Sequence, residues 1–191
     1  MQVIFVFLLA GAAYNIPPVR TKERVYLDVL SESFNNPIRF MLGWSVFTHE
    51  FYPPISIIIA YWSGGAFLMA AKRLAEFRFI GDKKKASLYR RSFLFYTEEK
   101  LLMYCFFSAS VSSFFLGIFL IKHRLEFLLT FPFMALLFTW YLKIALGSNS
   151  LAQNPEKLFQ ERGFMVFLLF LGILYWILMA VDIPWMYFLV E

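Results

Sequence analysis

Six stretches of the chain are apolar almost throughout, and short connections rich in charge separate them. They run roughly from Met1 to Tyr14, Asn36 to His49, Pro54 to Glu76, Thr97 to Ile121, Leu125 to Leu146 and Phe164 to Leu189. Apolar residues follow one another without the alternation of a half-buried strand, so each stretch predicts a helix and not part of a closed barrel. Runs of roughly 18 or more such residues can cross a bilayer. The pattern predicts an all-α polytopic membrane bundle of about six transmembrane helices, in one domain over residues 1–191. Asn36 and Pro37 are suited to open the second helix, as cap and first-turn residue. The first run is short against the roughly 20 residues a span needs.

The connections have patterns of their own. In "ERVYLDVLSESFNN" the residues Asp28, Glu32 and Asn35 recur at helical spacing, while Tyr26, Val29, Leu30 and Phe34 fall on another face. This predicts an amphipathic helix lying at the interface, with the acidic face in water. "SLYRRSFLFYT" repeats the idea, with Tyr89, Phe93 and Tyr96 in a stripe beside Arg90 and Arg91. "NPEKLFQERG" opens with Asn154 and Pro155, as a short helix does.

Composition agrees with the pattern: 60% of the 191 residues are hydrophobic and the mean hydropathy is +0.63, more apolar surface than a soluble domain of this size can bury. The charge of +5 bears first on topology. Three alternate connections carry twelve cations: Arg20, Lys22 and Arg24; Arg78, Lys83, Lys84, Lys85, Arg90, Arg91 and Lys100; Lys157 and Arg162. The other side has two, Lys122 and Arg124. The positive-inside rule places the basic connections in the cytoplasm and both chain ends outside. "MQVIFVFLLAGAAY" has no basic start and is followed by two prolines, so it reads as a retained helix and not a signal peptide. The single cysteine, Cys105, excludes a disulfide or a cysteine-based metal site within the chain.

The end of the third apolar stretch is the richest in chemistry. In "GGAFLMAAKRLAEFRFIGD" the residues Gly65, Met69, Lys72 and Glu76 share a face, and Arg73 flanks it. Ionisable residues there must be paired or wet. Lys72 and Glu76 are spaced to pair at i, i+4. Two readings stand side by side: side chains snorkelling to the headgroups, or a cationic cradle for a phosphate or diphosphate. Gly64 and Gly65 would let a helix or a lipid tail come close. Arg20 and Lys22, behind Pro17 and Pro18, repeat the same pair of readings. Asp28 and Glu32 have the hard oxygens magnesium prefers, but the wet face of an interfacial helix is the better reading for Glu32. Asp182 reads as interfacial, and Lys83, Lys84 and Lys85 as a topology signal. His49 and His123 fall on the opposite side from the cations. No nucleophile–base pair, phosphate-binding glycine loop or zinc spacing is present in the sequence. Nucleic acid does not suit basic residues pressed against a bilayer.

Two of these stretches resemble a known family. "YNIPPVRTKERVYLDVL", followed by "NNPIRFMLGW", resembles the central cytoplasmic loop and next helix of the UbiA superfamily of membrane transferases, which carry a "YsxPPxRxK" stretch there. "MAAKRLAEFRFIGD" is similar to the second loop, in the "GKRYAE" form of polyprenyl-phosphate phosphoribosyltransferases. The resemblance implies a nine-helix bundle around a lipid-filled cavity, with this chain matching the last six helices and incomplete at its N-terminus. The family's first aspartate motif, "NDxxDxxxD", is absent from the sequence. Ala71 and Arg78 stand where the second motif's aspartate-rich form carries two aspartates, with Asp82 further along. That departure weakens the case for the usual prenyl-diphosphate donor and strengthens that for a lipid monophosphate.

The resemblance implies a transferase that moves a prenyl or related group between a diphosphate donor and a polyprenyl-linked acceptor. A polyprenyl-phosphate 5-phosphoribosyltransferase is the near alternative, and a non-catalytic lipid-binding membrane protein is the alternative of another class. By the same resemblance Asp28, Lys72 and Glu76 would serve catalysis, and Tyr14, Arg20, Lys22, Asn36, Arg39 and Arg73 would bind substrate. Asp82 would meet Mg2+, the implied cofactor, whose principal ligand motif this chain lacks. The implied partner is an isoprenoid diphosphate or polyprenyl phosphate, and the implied location is a bacterial inner membrane.

Overall fold

A computed structural model describes residues 2–47, 52–147, 151–153 and 155–189. Among them the chain is all-helical, without a strand. Its α-helices are α1 (Gln2–Asn15), α2 (Leu27–Ser33), α3 (Asn35–Phe47), α4 (Ile55–Ile80), α5 (Lys83–Tyr89), α6 (Glu98–His123), α7 (Phe131–Ala145) and α8 (Arg162–Ala180). Four spans are long and apolar enough to cross a membrane: α4, α6, α8, and α7 together with the 3-10 turn Leu125–Thr130 that leads into it. These are the marks of an integral membrane protein. The first two of the six apolar stretches form helices of 14 and 13 residues, short of the roughly 20 a perpendicular span needs. His49, placed at the end of the second stretch, lies outside the described residues, as does Asn154.

α4 is the axis of the molecule, and α6 makes the most extensive contact with it. The reason is visible in side-chain size. Ala66, Ala70, Ala71 and Ala75 line the buried side of α4, and Cys105, Ser108 and Ser112 line that of α6. Small residues let two backbones approach closely where no hydrophobic force drives helices together. Ser112 Oγ donates to the Ala60 carbonyl at 2.9 Å, and a Cβ on Gly64 would lie 3.2 Å from that hydroxyl. Outward-facing Phe106, Phe107 and Phe114 are exposed, as they must be on a surface meant for hydrocarbon.

Breaks in the helices have local causes. α4 ends at Gly81, in the left-handed conformation glycine adopts without penalty. Asp82 then caps α5, accepting from the backbone N–H of Lys84 and Lys85 at 2.7 and 3.4 Å. Thr97 caps α6 through the Lys100 N–H. The last apolar stretch does not run unbroken to Leu189. α8 stops at Ala180, where Val181 turns extended (φ −106°, ψ 124°), and a 3-10 turn follows from Pro184. "PEKLFQ" forms a 3-10 helix over Pro155–Gln160.

The amphipathic reading of α2 holds for its apolar face and fails for its acidic one. Val29 is fully buried as expected, but Asp28 is fully buried as well, and of the apolar set only Tyr26 is exposed. In water an acidic face looks outward. In a membrane bundle the outside is apolar, and charges gain by meeting one another within. α2 is held there by Trp62 of α4, whose indole N–H donates to the Leu30 carbonyl at 3.1 Å, and by the edge-to-face pair of Phe34 and Trp62. The second predicted stripe is divided likewise: Phe93 and Tyr96 are buried while Tyr89 is exposed.

Candidate functional site

The site is built around Arg73. It lies near the end of α4 with 2% of its surface exposed, where an unpaired guanidinium would be very costly. Nη1 donates to Glu76 Oε2 at 2.9 Å, one turn further along the same helix, and Nη2 donates to Glu32 Oε2. Nε lies 3.8 Å from Asp28 Oδ2. Asp28 and Glu32 are spaced i, i+4, so α2 presents both carboxylates together.

Asp28 is the second centre. Tyr96 Oη donates to its Oδ1 at 2.6 Å, and Ser92 Oγ and Arg90 Nη1 donate to Oδ2 at 3.1 and 3.3 Å. All three donors come from the connection between α5 and α6. Burial, and then the negative charge of Asp28, push the Tyr96 phenol above its ordinary value, so it stays a donor. The Tyr26 N–H donates to the same phenol oxygen at 2.8 Å. Tyr26 has φ 65°, an uncommon conformation for a non-glycine residue, and this bond helps hold it there. Tyr14, at the end of α1, closes the ring: its hydroxyl donates to Glu32 Oε2 at 3.0 Å and accepts from Arg90 Nη2 at 3.4 Å.

Four of the sequence-selected residues thus meet: Tyr14, Asp28, Arg73 and Glu76. The rest stand apart. Glu76 takes Arg73 as its partner at i, i+3, not Lys72 at i, i+4. Lys72 is half-buried and forms no ion pair among the described residues. Arg20 is half-buried and pairs with Glu23 at 3.0 Å. Lys22 donates to Asn15 Oδ1 at 3.3 Å. Arg39 is exposed, and Asp82 is the exposed cap of α5. Glu32, read as a solvated residue, is instead a direct partner of Arg73. Arg90, Ser92 and Tyr96 were not selected as site residues. Their signal in the sequence is the aromatic stripe of "SLYRRSFLFYT", where Arg90 and Ser92 precede the buried Phe93 and Tyr96.

The charge balance limits what this cluster can bind. Three carboxylates face two guanidiniums, a formal charge of −1, and both Nη atoms of Arg73 are taken by carboxylates. Arg73 is therefore not an open anion receptor. Nor do the carboxylates fit magnesium. They turn on the guanidiniums, and among the described residues no three His, Cys, Asp or Glu side chains are placed to share an ion.

Beneath the network lies an apolar cavity of about 490 Å³, bounded by α3, α4, α6, α7 and α8. Gly64, Gly65, Phe67, Leu137, Phe138 and Phe164 give it its character. Asn36 enters it from the start of α3, against the bare backbone of Gly65, where a Cβ would lie 2.2 Å from the Asn36 amide nitrogen. Gly65 is eight residues from Arg73, or about 12 Å along the helix. Cavities of this size hold small ligands or part of a lipid chain. At the opposite end of the bundle Arg124 bridges the buried Glu126 (3.5 Å), Asp182 (2.8 Å) and the Val181 carbonyl (3.0 Å). Glu126 also accepts from the Ile183 N–H at 3.2 Å, so this second cluster fastens the end of α8 to the start of α7.

Fold and site together define a class: a polytopic helical membrane protein with a buried ionic network at the cation-rich end of its bundle and an apolar cavity below. Comparison with protein-family models, with curated proteins and with solved structures finds no match.

Proposed function

We propose that the chain is a membrane protein of the UbiA transferase type that binds a polyprenyl-linked lipid. The isoprenoid tail occupies the cavity beside Gly64 and Gly65, and the phosphorylated head lies near the network of Tyr14, Asp28, Arg73 and Glu76, on the cytoplasmic side. The six apolar stretches then correspond to the last six helices of the nine-helix bundle. One observation supports this reading: the two stretches that resemble the family, 14–30 and 69–82, meet in a single buried network, through Arg73 and Asp28, next to an apolar cavity.

In this reading Arg73 organises the carboxylates and is not the group that grips phosphate. Lys72, beside Arg73 in α4, half-buried and without an ion pair among the described residues, is the cation assigned to meet the head. Among the described residues the carboxylates of the network turn on guanidiniums and form no cluster placed to share a magnesium ion. The balance of charge favours a second reading of another class, a non-catalytic lipid-binding protein whose network is structural. Purified chain in lipid nanodiscs, assayed with magnesium, polyprenyl phosphate and prenyl or phosphoribosyl diphosphate, tests both. The expected result is saturable binding of polyprenyl phosphate, weakened about tenfold in Lys72→Gln, without turnover by this chain alone. Failure to prefer polyprenyl phosphate over a diacyl lipid would sink both readings. Robust turnover would overturn the account of the charge balance and favour the enzyme.

A further inference from the structure

The connection between α4 and α6 has two unlike faces, and the site uses only one. Inward it buries Ala86, Ser92, Phe93 and Tyr96, and sends Arg90, Ser92 and Tyr96 to Asp28. Outward it exposes Leu88 (89%), Tyr89, Leu94 and Phe95, with Lys84, Lys85 and Arg91 exposed among them. None of these three cations forms an ion pair among the described residues, whereas the neighbouring Arg78 pairs with Glu98 at 2.6 Å. Large apolar side chains next to uncommitted cations are the signature of a surface that meets headgroups and acyl chains at once. The segment joins the ends of two membrane-spanning helices, which keeps it at the level of the bilayer surface. Its inward bonds to Asp28 fix which face looks out.

We infer that the outer face of residues 83–95 docks on an anionic leaflet. Leu88, Tyr89, Leu94 and Phe95 enter the headgroup boundary, and Lys84, Lys85 and Arg91 meet anionic lipid headgroups. This goes beyond the binding of a polyprenyl lipid in the cavity and does not depend on it. The same short segment carries Arg90, Ser92 and Tyr96, so the leaflet steadies the donors that hold Asp28.

A Leu88→Cys variant carrying an environment-sensitive fluorophore tests the inference in nanodiscs with and without phosphatidylglycerol. The other thiol, Cys105, is buried and does not compete for label. With phosphatidylglycerol present, the label's emission moves to the blue and nitroxide-bearing lipid quenches it. High salt reverses both effects, because exposed charges are screened beyond the Debye length. Lys84→Gln, Lys85→Gln and Arg91→Gln together abolish the dependence on lipid charge, each cation being worth about fivefold in association with the leaflet. A label equally wet in both lipids would overturn the inference. A label equally embedded in both would overturn the headgroup recognition. Reversal by millimolar inorganic phosphate, or by an acidic peptide, at constant ionic strength would assign the cations to a soluble partner and overturn the leaflet as occupant.

Discussion

At the scale of single residues, Arg73 decides the stability of the site. Removing one member of a buried ion-paired group leaves the others charged and unpaired, at a cost of about 3–5 kcal/mol. Arg73→Met is therefore expected to lower thermal stability in detergent sharply, and Arg73→Lys to recover only part of it, since an ammonium cannot span Glu32, Glu76 and Asp28 as the planar fork does. Differential scanning of the three proteins checks the order. Tyr96 makes a prediction with a sign. Its phenol is pushed above its ordinary value in the fold, so the folded chain keeps a proton the unfolded chain gives up. The stability it contributes is complete below about pH 10 and is lost as pH rises above that. Tyr96→Phe should lower stability at neutral pH by about 1–3 kcal/mol, because Asp28 loses a donor. It should also flatten the alkaline decline, as melting curves across that range would record.

At the scale of elements, the glycines of α4 separate packing from propensity. A Cβ on Gly65 would meet the Asn36 amide at 2.2 Å, so Gly65→Ala must drive α3 or its side chain away, with an expected loss of about 1–3 kcal/mol. Gly117→Ala on α6 meets nothing within 4 Å and should instead raise helix stability by about 0.5–1 kcal/mol. Equal effects from the two substitutions would contradict the close approach of α3 to α4. The long helices were legible because unbroken apolar runs leave no alternative in a bilayer. α2 was legible as a helix but not in its burial: periodicity sets Asp28 and Val29 on different faces, and the rest of the chain covers both. The partner of Glu76 was likewise out of reach, because i, i+3 and i, i+4 spacings both allow a pair. Buried Asp28 and half-buried Glu32, from 41 or more residues away in sequence, decide that Arg73 is the one drawn inward. The donors Arg90, Ser92 and Tyr96 reach Asp28 across 62 to 68 residues, a closure that no local pattern encodes.

At the scale of the whole molecule, an arginine–carboxylate cluster fastens each end of the bundle, with an apolar hollow between. The basic end holds the network around Arg73 and Asp28, and the other end holds Arg124, Glu126 and Asp182. Cavity and network are separable, which makes the lipid-binding reading testable without unfolding the site. Leu137→Trp places bulk in the cavity and leaves every network residue in place, so binding of a polyprenyl phosphate should fall about tenfold or more while the melting temperature stays near that of the unaltered chain. The most direct measurement is photocrosslinking with a polyprenyl phosphate that carries a diazirine in its tail, followed by peptide mapping. Attachment to the cavity-lining stretches around Gly64, Gly65 and Leu137, suppressed in Leu137→Trp, is the predicted result. Attachment spread over the outward faces around Phe106 and Phe114, unchanged in that variant, would contradict it.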